Sequence, residues 1–168
     1  MQRPIVIRSA LPGEAERLQE LGITGWETTY ADFLLAENRR EYLAGLFWSV
    51  ERLRAIIEDA ACWTLVAEID AAVAGFLTLE PDAAGEVELT RFYVDPAYRG
   101  KGAGRQLWQH AHDLLQTGLV PTVLVNVFSD NHAGRRFYER LGFSLIEETT
   151  TVVGSQTVYD VWYRLALR

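Results

Sequence analysis

The sequence has one cysteine, one lysine, five scattered prolines and no long apolar run. A single cysteine, Cys62, excludes an intramolecular disulfide, and its apolar neighbours predict a buried strand position without a catalytic role. Charged residues interrupt each apolar stretch before it reaches the roughly 18 to 20 residues of a membrane-spanning helix. The first residues, Met1 to Ile7, also lack the features of a secretory signal. We therefore expect a soluble protein of the reducing cytoplasm, without a membrane partner.

Positive charge is also scarce. The chain has 16 Lys and Arg residues but 23 Asp and Glu residues, which gives a formal net charge of −7. Such a chain repels phosphate backbones, so we expect no nucleic-acid partner. The acidic surface would mildly favour cationic substrates such as amines, although solubility is the commoner reason for such a charge. His110 and His112 are two apart on a predicted helix and His132 lies at a helix start, so the histidines predict no metal site.

The length of 168 residues predicts one domain spanning residues 1–168, and neither an internal repeat nor a Pro/Ser-rich linker divides it. A short strand at Ile5–Arg8 is followed by a helix at Pro12–Leu21. Helical spacing with many aromatic residues continues over 26–40 and 42–59. Polar residues at 37–40 predict a break there, so this region is expected to form two or three helices.

After Cys62 the apolar period changes to that of strands, which predicts a mixed α/β fold. Three strand-length runs separated by turn residues indicate an antiparallel meander. Further on, Gly118 is placed to end one helix, Asn131 to cap the next and Gly142 to end it. The predicted elements are strands at Trp63–Glu68, Val73–Glu80 and Glu86–Val94, a helix at Gly104–Gln116, a buried strand at Val123–Val127, a helix from Asn131 to Leu141, and strands at Leu145–Val153 and Val158–Leu167.

The segment from Arg99 to Arg105 joins a predicted strand to an amphipathic helix through three glycines in five residues. Without Cβ atoms, glycines allow backbone N–H groups to approach a ligand, and the following helix start attracts negative charge. Lys101, the only lysine, adds a local positive cluster together with Arg99 and Arg105. The segment therefore predicts a phosphate-binding loop, with a purely structural tight turn as the alternative.

Other phosphate loops fit this segment poorly. The glycines at 100, 102 and 104 do not match the G-x-G-x-x-G of dinucleotide-binding proteins. Lys101 is followed by Gly102, where a nucleoside triphosphate loop requires Ser or Thr. A nucleotide-binding enzyme is therefore the weakest alternative.

The glycine loop and its flanking segments resemble those of the GNAT superfamily of N-acetyltransferases. Arg99-Gly100-Lys101-Gly102-Ala103-Gly104 matches the family signature of Arg or Gln, two residues, Gly, one residue, then Gly or Ala. Glu88 to Pro96 resembles the central strand of the family, and Asn131 to Phe143 its second cofactor segment. The resemblance covers nearly the whole chain. It implies an α/β (α+β) fold with a mixed, mostly antiparallel central sheet that is splayed between two strands and flanked by helices.

The resemblance implies acetyl-CoA as co-substrate, wedged between the central strand and the strand at Val123–Val127. Backbone groups of Phe92 and Val94 are expected to pair with the pantetheine arm, and N–H groups of the glycine loop to hold the pyrophosphate. Asn131 is expected to cap its helix and also to touch the cofactor, and capping alone is the alternative. The implied cofactor-binding residues are Phe92, Tyr93, Val94, Arg99, Gly100, Lys101, Gly102, Ala103, Gly104, Arg105 and Asn131.

An alkylamine with a pKa of about 10 must lose a proton before it attacks a thioester. Strand alternation places Glu88 on the same face as Thr90 and Phe92, and a carboxylate at the matching position activates the amine in the family, often through water. Glu88 is the predicted base, and a solvated carboxylate beside Glu86 is the alternative. Tyr138 matches the tyrosine that donates to the CoA sulfur, and a role in packing alone is its alternative.

Together these features predict an acetyl-CoA-dependent N-acetyltransferase for a primary amine, either a small molecule or a peptide N-terminus. Attack is direct, in a ternary complex, with Trp26, Tyr30 and Phe33 lining the acceptor pocket. A non-catalytic acyl-CoA-binding or regulatory module is the alternative, although it would not need Glu88 or Tyr138. A homodimer formed through an exposed terminal strand stays open as well.

Overall fold

A computed structural model of the chain describes residues 4–167. Its centre is a seven-stranded sheet in the order β1-β2-β3-β4-β5-β7-β6, in which all neighbours are antiparallel except β4 and β5. This confirms the predicted mixed fold and its meander of β2, β3 and β4. The strands are β1 Ile5–Ser9, β2 Trp63–Ile69, β3 Ala72–Pro81, β4 Val87–Val94, β5 Thr122–Phe128, β6 Ser144–Val153 and β7 Gln156–Ala166.

The parallel strands β4 and β5 separate soon after they meet. They pair only at Val87 with Val123 and at Glu88 with Leu124. Beyond that point β4 continues along β3 and β5 continues along β7, so a wedge-shaped gap opens between the two strands. The splayed sheet implied by the family resemblance is therefore present.

Five helices cover the two faces of this sheet. The first three pack with one apolar core, around Leu18, Trp48 and Phe76, whereas α4 packs on the opposite core around Leu77 and Leu107, and α5 borders that core through Tyr138. The helices are α1 Ala15–Tyr30, α2 Ala36–Leu43, α3 Val50–Glu58, α4 Ala103–Thr117 and α5 His132–Arg140, with short 3₁₀ turns at Pro12–Glu14, Leu46–Trp48 and Pro96–Tyr98. None of these helices, within residues 4–167, is long and apolar enough to cross a membrane.

The helix break predicted at residues 37–40 is wrong. That segment lies inside α2, and the interruptions fall at 31–35 and 44–49. Polar side chains weaken a helix when they compete for its backbone groups, but the Asn38 side chain is 2% exposed and bonded instead to Ser155 and Gln156. Asn38 therefore marks a tertiary contact rather than a loop.

The predicted buried strand position of Cys62 is also wrong. Cys62 lies in the turn just before β2, is half-buried, and donates its N–H to the Asp59 carbonyl at 3.0 Å. Burial, followed by the charge of Asp59, raises the pKa of its thiol to about 11. At neutral pH the thiol is therefore protonated.

Candidate active site

The glycine loop begins where β4 leaves the sheet. The Asp95 carboxylate accepts the Ala97 N–H at 2.9 Å and so caps the 3₁₀ turn that follows the strand. The chain then takes left-handed conformations at Gly100, with φ +74°, and at Gly102, with φ +90°. Side chains rarely adopt these angles, so the two glycines are needed for the path itself.

The loop leaves its backbone donors unpaired. Gly102 is the N-cap of α4, so the N–H groups of Ala103, Gly104 and Arg105 precede the first intrahelical bonds. Among the described residues, no acceptor is found for the N–H groups from 100 to 105. Such a row of free donors at a helix start suits a phosphate group.

The basic side chains of the loop frame these donors. Arg99 donates from Nε to the Val94 carbonyl at 3.1 Å, and Lys101 donates from Nζ to the Ala97 carbonyl at 2.8 Å. Arg105 is exposed on the first turn of α4. The local charge is therefore positive in a chain whose net charge is −7.

A cleft of about 370 Å³ occupies the gap between β4 and β5. Among the predicted cofactor residues, Phe92, Tyr93, Val94, Arg99, Gly104 and Asn131 line the cleft. The others, Gly100, Lys101, Gly102, Ala103 and Arg105, belong to the loop that continues from it. The structure thus brings the two predicted cofactor segments to one site.

Tyr138 lines the same cleft from α5. Its ring packs against Phe137 and Phe143, with centroids 5.4 and 5.7 Å apart. Burial raises the pKa of its hydroxyl well above the usual value, so the group is protonated at neutral pH. Within residues 4–167 this hydroxyl has no hydrogen-bond partner, which leaves its proton available to a ligand in the cleft.

Asn131 fixes the start of α5. Its Oδ1 accepts the Gly134 N–H at 2.9 Å, which confirms the predicted N-cap. Its Nδ2 donates to the Tyr30 hydroxyl at 3.3 Å. Asn131 therefore also joins the helix that carries Tyr138 to the helix that carries Tyr30.

A second cavity, of about 170 Å³, adjoins the cleft at Leu89, Thr90 and Tyr93 of β4. Aromatic rings form most of its wall. The ring of Trp26 stacks on that of Tyr42 with centroids 4.7 Å apart, and the ring of Tyr30 packs edge-on against that of Phe128 with centroids 5.1 Å apart. Phe33 does not line this cavity but packs behind Tyr30 at 5.3 Å. The lining residues are Trp26, Tyr30, Tyr42, Phe47, Glu88, Leu89, Thr90, Tyr93, Asn126 and Phe128.

The prediction that Glu88 and Phe92 lie on the same face of the strand is wrong. Leu79 pairs with Leu89 and Thr78 with Arg91, so Thr90 is an extra residue in a β-bulge. The bulge reverses the alternation, and Phe92 therefore packs on the α4 side of the sheet whereas Glu88 faces the aromatic cavity. This arrangement directs Glu88 into the aromatic cavity and Phe92 into the cleft.

Among residues 4–167, Glu88 is the only carboxylate that lines the aromatic cavity. Burial raises the pKa of its carboxyl, and the nearby charges of Glu80 and Asp82 raise it further. Glu80, its cross-strand partner, is itself held by the buried Arg91 at 2.8 Å and by Arg52. Among the residues described, none donates a hydrogen bond to Glu88, so the carboxylate can receive a proton from a ligand.

Sequence reasoning missed several residues of this site, namely Tyr42, Phe47, Asn126 and Phe128. Tyr42 and Phe47 fall in the helical pattern of residues 42–59, which carries no signal of a site, and Phe128 lies just past the end of the predicted strand. Asn126 carried a usable signal, because it is the one polar residue in the apolar run Val123–Val127. Within residues 4–167, no group of His, Cys, Asp and Glu side chains could hold a metal ion.

The family model of the acetyltransferase (GNAT) family matches residues 26–143 of the chain. The peptidyl-lysine N-acetyltransferase YjaB of Escherichia coli strain K12 is 30% identical over 141 residues, which are 84% of this chain and 83% of that protein. The spermidine N(1)-acetyltransferase of Thermoplasma acidophilum is 26% identical over 86% of this chain and 91% of its own length. The crystal structure of the PaiA N-acetyltransferase from Thermoplasma acidophilum in complex with coenzyme A has a TM-score of 0.79 at 25% identity, covering 94% of this chain and 98% of that one.

The splayed sheet, the glycine loop and these relatives define an N-acyltransferase that uses acetyl-CoA. The chain belongs to the acetyltransferase (GNAT) family. Both the family and the fold that the sequence predicted are thereby confirmed.

Proposed function

We propose that this enzyme acetylates a primary amine, on a small molecule or a peptide N-terminus, by direct attack in a ternary complex. The observation that carries the proposal is the contact between the two cavities. The cleft and the aromatic cavity share Leu89, Thr90 and Tyr93 on β4, with Tyr30 and Asn126 opposite. An amine in one cavity can therefore reach a thioester in the other without crossing the sheet.

The residues of the cleft fit acetyl-CoA, which supplies an activated acetyl group when bound. The free N–H groups between Gly100 and Arg105 suit the pyrophosphate, with Arg99, Lys101 and Arg105 adding positive charge. Along β4, the backbone of Phe92 and Val94 faces the gap where no strand pairs with it. These two residues would pair with the pantetheine arm, as a strand would.

Glu88 is suited to take the proton that the amine must lose. Its carboxylate lies in the aromatic cavity, and its raised pKa brings it closer to neutral pH than that of an exposed glutamate. A base works best when its pKa lies near the working pH. Glu88 therefore serves as the proposed general base, directly or through a water molecule.

Tyr138 is suited to supply a proton to the leaving sulfur. Its hydroxyl lies in the cleft and stays protonated because its pKa is raised by burial. The N–H groups of β4 near Phe92 would stabilise the negative charge that develops on the carbonyl oxygen. The chain then needs no covalent intermediate of its own.

The aromatic cavity favours an amine on a slender alkyl chain. Ring faces attract ammonium groups and pack well against methylene groups, and Glu88 supplies one negative charge. The relatives named for peptidyl-lysine and spermidine act on amines of this chemistry. Their names support the acceptor class and do not identify the acceptor.

The test is release of free thiol from acetyl-CoA by purified protein, with polyamines, amino acids, aminoglycosides and short peptides as acceptors. For the preferred amine, initial rates measured over both substrates should give intersecting double-reciprocal lines, as a ternary complex requires. Parallel lines would indicate a covalent enzyme intermediate instead. Tight acetyl-CoA binding with no amine-dependent release across the panel would contradict the proposed acceptor class.

A further inference from the structure

Asn126 lies where the two cavities meet. It is two residues beyond Leu124, which forms the last parallel pair with Glu88 before the strands separate. Because side chains alternate along a strand, Asn126 lies on the same face as Leu124 and therefore on the side of Glu88. It lines both the cofactor cleft and the aromatic cavity.

The side-chain amide nitrogen of Asn126 has no hydrogen-bond partner among the described residues. This atom, Nδ2, is buried. The side chain of Asn38, a buried residue, is by contrast fully engaged with Ser155 and Gln156. A buried donor without a partner costs stability, so its presence at a cavity junction indicates a partner that arrives with the ligands.

Two other polar side chains at this junction already take part in hydrogen bonds within the protein. The Thr90 hydroxyl donates to Glu80 at 2.5 Å and meets the Thr78 hydroxyl at 2.7 Å. The Tyr30 hydroxyl accepts from Asn131 at 3.3 Å. Asn126 thus offers a neutral donor on the face of Glu88, and it cannot itself act as a base because a carboxamide does not take up protons near neutral pH.

We propose that Asn126 holds, through its Nδ2, the water molecule that relays the proton of the attacking amine to Glu88. The water accepts from Nδ2–H and from the amine N–H, and it donates to the Glu88 carboxylate. As the C–N bond forms and the C–S bond breaks, the amine proton passes to the water and a water proton passes to Glu88. The amine attacks in its neutral form, and the sulfur receives its proton from Tyr138. Glu88 then releases its proton to solvent and the Tyr138 phenolate takes one up, so atoms and charges balance and both residues regain their starting states.

This inference rests on the proposed function, and the Asn126→Leu variant separates a role in the reaction from a role in folding. Leucine has a similar volume and removes the unpaired donor. We expect kcat to fall about 10- to 100-fold, with acetyl-CoA affinity unchanged. The melting temperature should stay equal or rise, since the buried polar group contributes no bond to the fold.

Asn38→Leu is the matched control, because it removes a buried asparagine whose bonds are all made within the protein. We expect its melting temperature to fall clearly. Asn126→Asp is the second variant: it replaces the donor by a second carboxylate near Glu88, so the acid limb of the pH–rate profile should move to higher pH.

Three outcomes overturn the inference. A fall in melting temperature of Asn126→Leu equal to that of Asn38→Leu would make Asn126 a structural residue, whatever the change in kcat. Turnover by the wild type and an unaltered kcat in Asn126→Leu would reject only the role of Asn126. Absence of amine-dependent thiol release by the wild type, with acetyl-CoA still bound, would reject the proposed function together with the relay.

Discussion

The proposed cofactor side and the proposed acceptor side of this enzyme are built in different ways. The cofactor side uses backbone groups: the N–H row from 100 to 105 and the unpaired edge of β4 beyond Glu88. The acceptor side uses side chains, chiefly the rings of Trp26, Tyr30, Tyr42 and Phe128 around one carboxylate. The first arises from two short contiguous segments, and the second from α1, α2, a 3₁₀ turn, β4 and β5.

The difference determines how each side responds to substitution. A backbone site depends on φ and ψ, so it tolerates most side chains and fails where a glycine conformation is lost. A side-chain site depends on volume and charge, so single substitutions can change its specificity while the fold persists. Four predictions test this contrast, from the largest expected effect to the smallest.

Gly102→Val should have the largest effect. Gly102 caps α4 at φ +90°, and a β-branched residue strains this conformation by about 1–3 kcal/mol while displacing the free N–H groups beside it. We expect acetyl-CoA affinity, measured by calorimetry, to fall by about 100-fold or more, which corresponds to at least ~2.7 kcal/mol.

Gly85→Val is the matched control for backbone strain. Gly85 has φ +82° in the turn between β3 and β4, away from the glycine loop. The Gly85→Val variant should lose thermal stability to a similar degree as Gly102→Val and keep its affinity for acetyl-CoA. Equal loss of affinity in the two variants would show that the effect comes from global destabilisation rather than from the loop.

Tyr138→Phe tests the side-chain chemistry that the cofactor side also requires. The ring would stay packed against Phe143, whereas the proton for the sulfur would be lost. We expect kcat to fall about 100-fold with little change in acetyl-CoA affinity or melting temperature. Tyr159→Phe, at an exposed tyrosine, should change none of these quantities. A Tyr138→Phe enzyme with normal kcat would leave this tyrosine a packing role alone.

The same contrast explains what the sequence could predict. The glycine loop and the Asn131 cap were predictable because their residues are adjacent in the chain and their chemistry is local. The side of the sheet that Glu88 faces was not, since a bulge at Thr90 reverses the alternation without any glycine to mark it. The position of α2 depended on Asn38 finding partners 117 and 118 residues away, which no local pattern records.

Glu88→Gln tests the acceptor side through pH. The pKa of Glu88 is raised, so the wild-type rate should climb as pH rises through that value and the carboxylate forms. We expect kcat/KM to fall about 10-fold or more at neutral pH, with the acid limb of the profile lost. Glu86→Gln should keep that limb, because the Glu86 carboxylate is engaged with Thr122 and Arg164 instead.

The stability of the Glu88→Gln variant should change in the opposite direction to its activity. A carboxyl whose pKa is raised on folding binds its proton more tightly in the native state, so the native state loses stability as pH rises from the unfolded pKa through the folded one. Replacing it by a neutral amide removes that loss. The variant should therefore melt higher than the wild type at neutral pH, and the gain should shrink in acid. A gain that persists unchanged below the ordinary glutamate pKa would argue against this cause.

Gln156→Leu should have the smallest effect, because Gln156 does not line the aromatic cavity and contacts only residues that support it. Its Oε1 accepts from the Leu35 N–H at 2.6 Å and from Asn38 at 2.9 Å, and its Nε2 donates to the Phe33 carbonyl at 3.1 Å. These bonds tie the segment after Tyr30 to the β6–β7 turn. Their loss should loosen Phe33 and Tyr30 and raise the KM for the amine a few-fold, about 1 kcal/mol, while the KM for acetyl-CoA stays constant. Gln109→Leu, on the exposed face of α4, is the control and should alter neither constant. If both constants of Gln156→Leu rose together, the two sides of the site would be coupled through Tyr30 and Asn131, and the separation between a backbone site and a side-chain site would be incomplete.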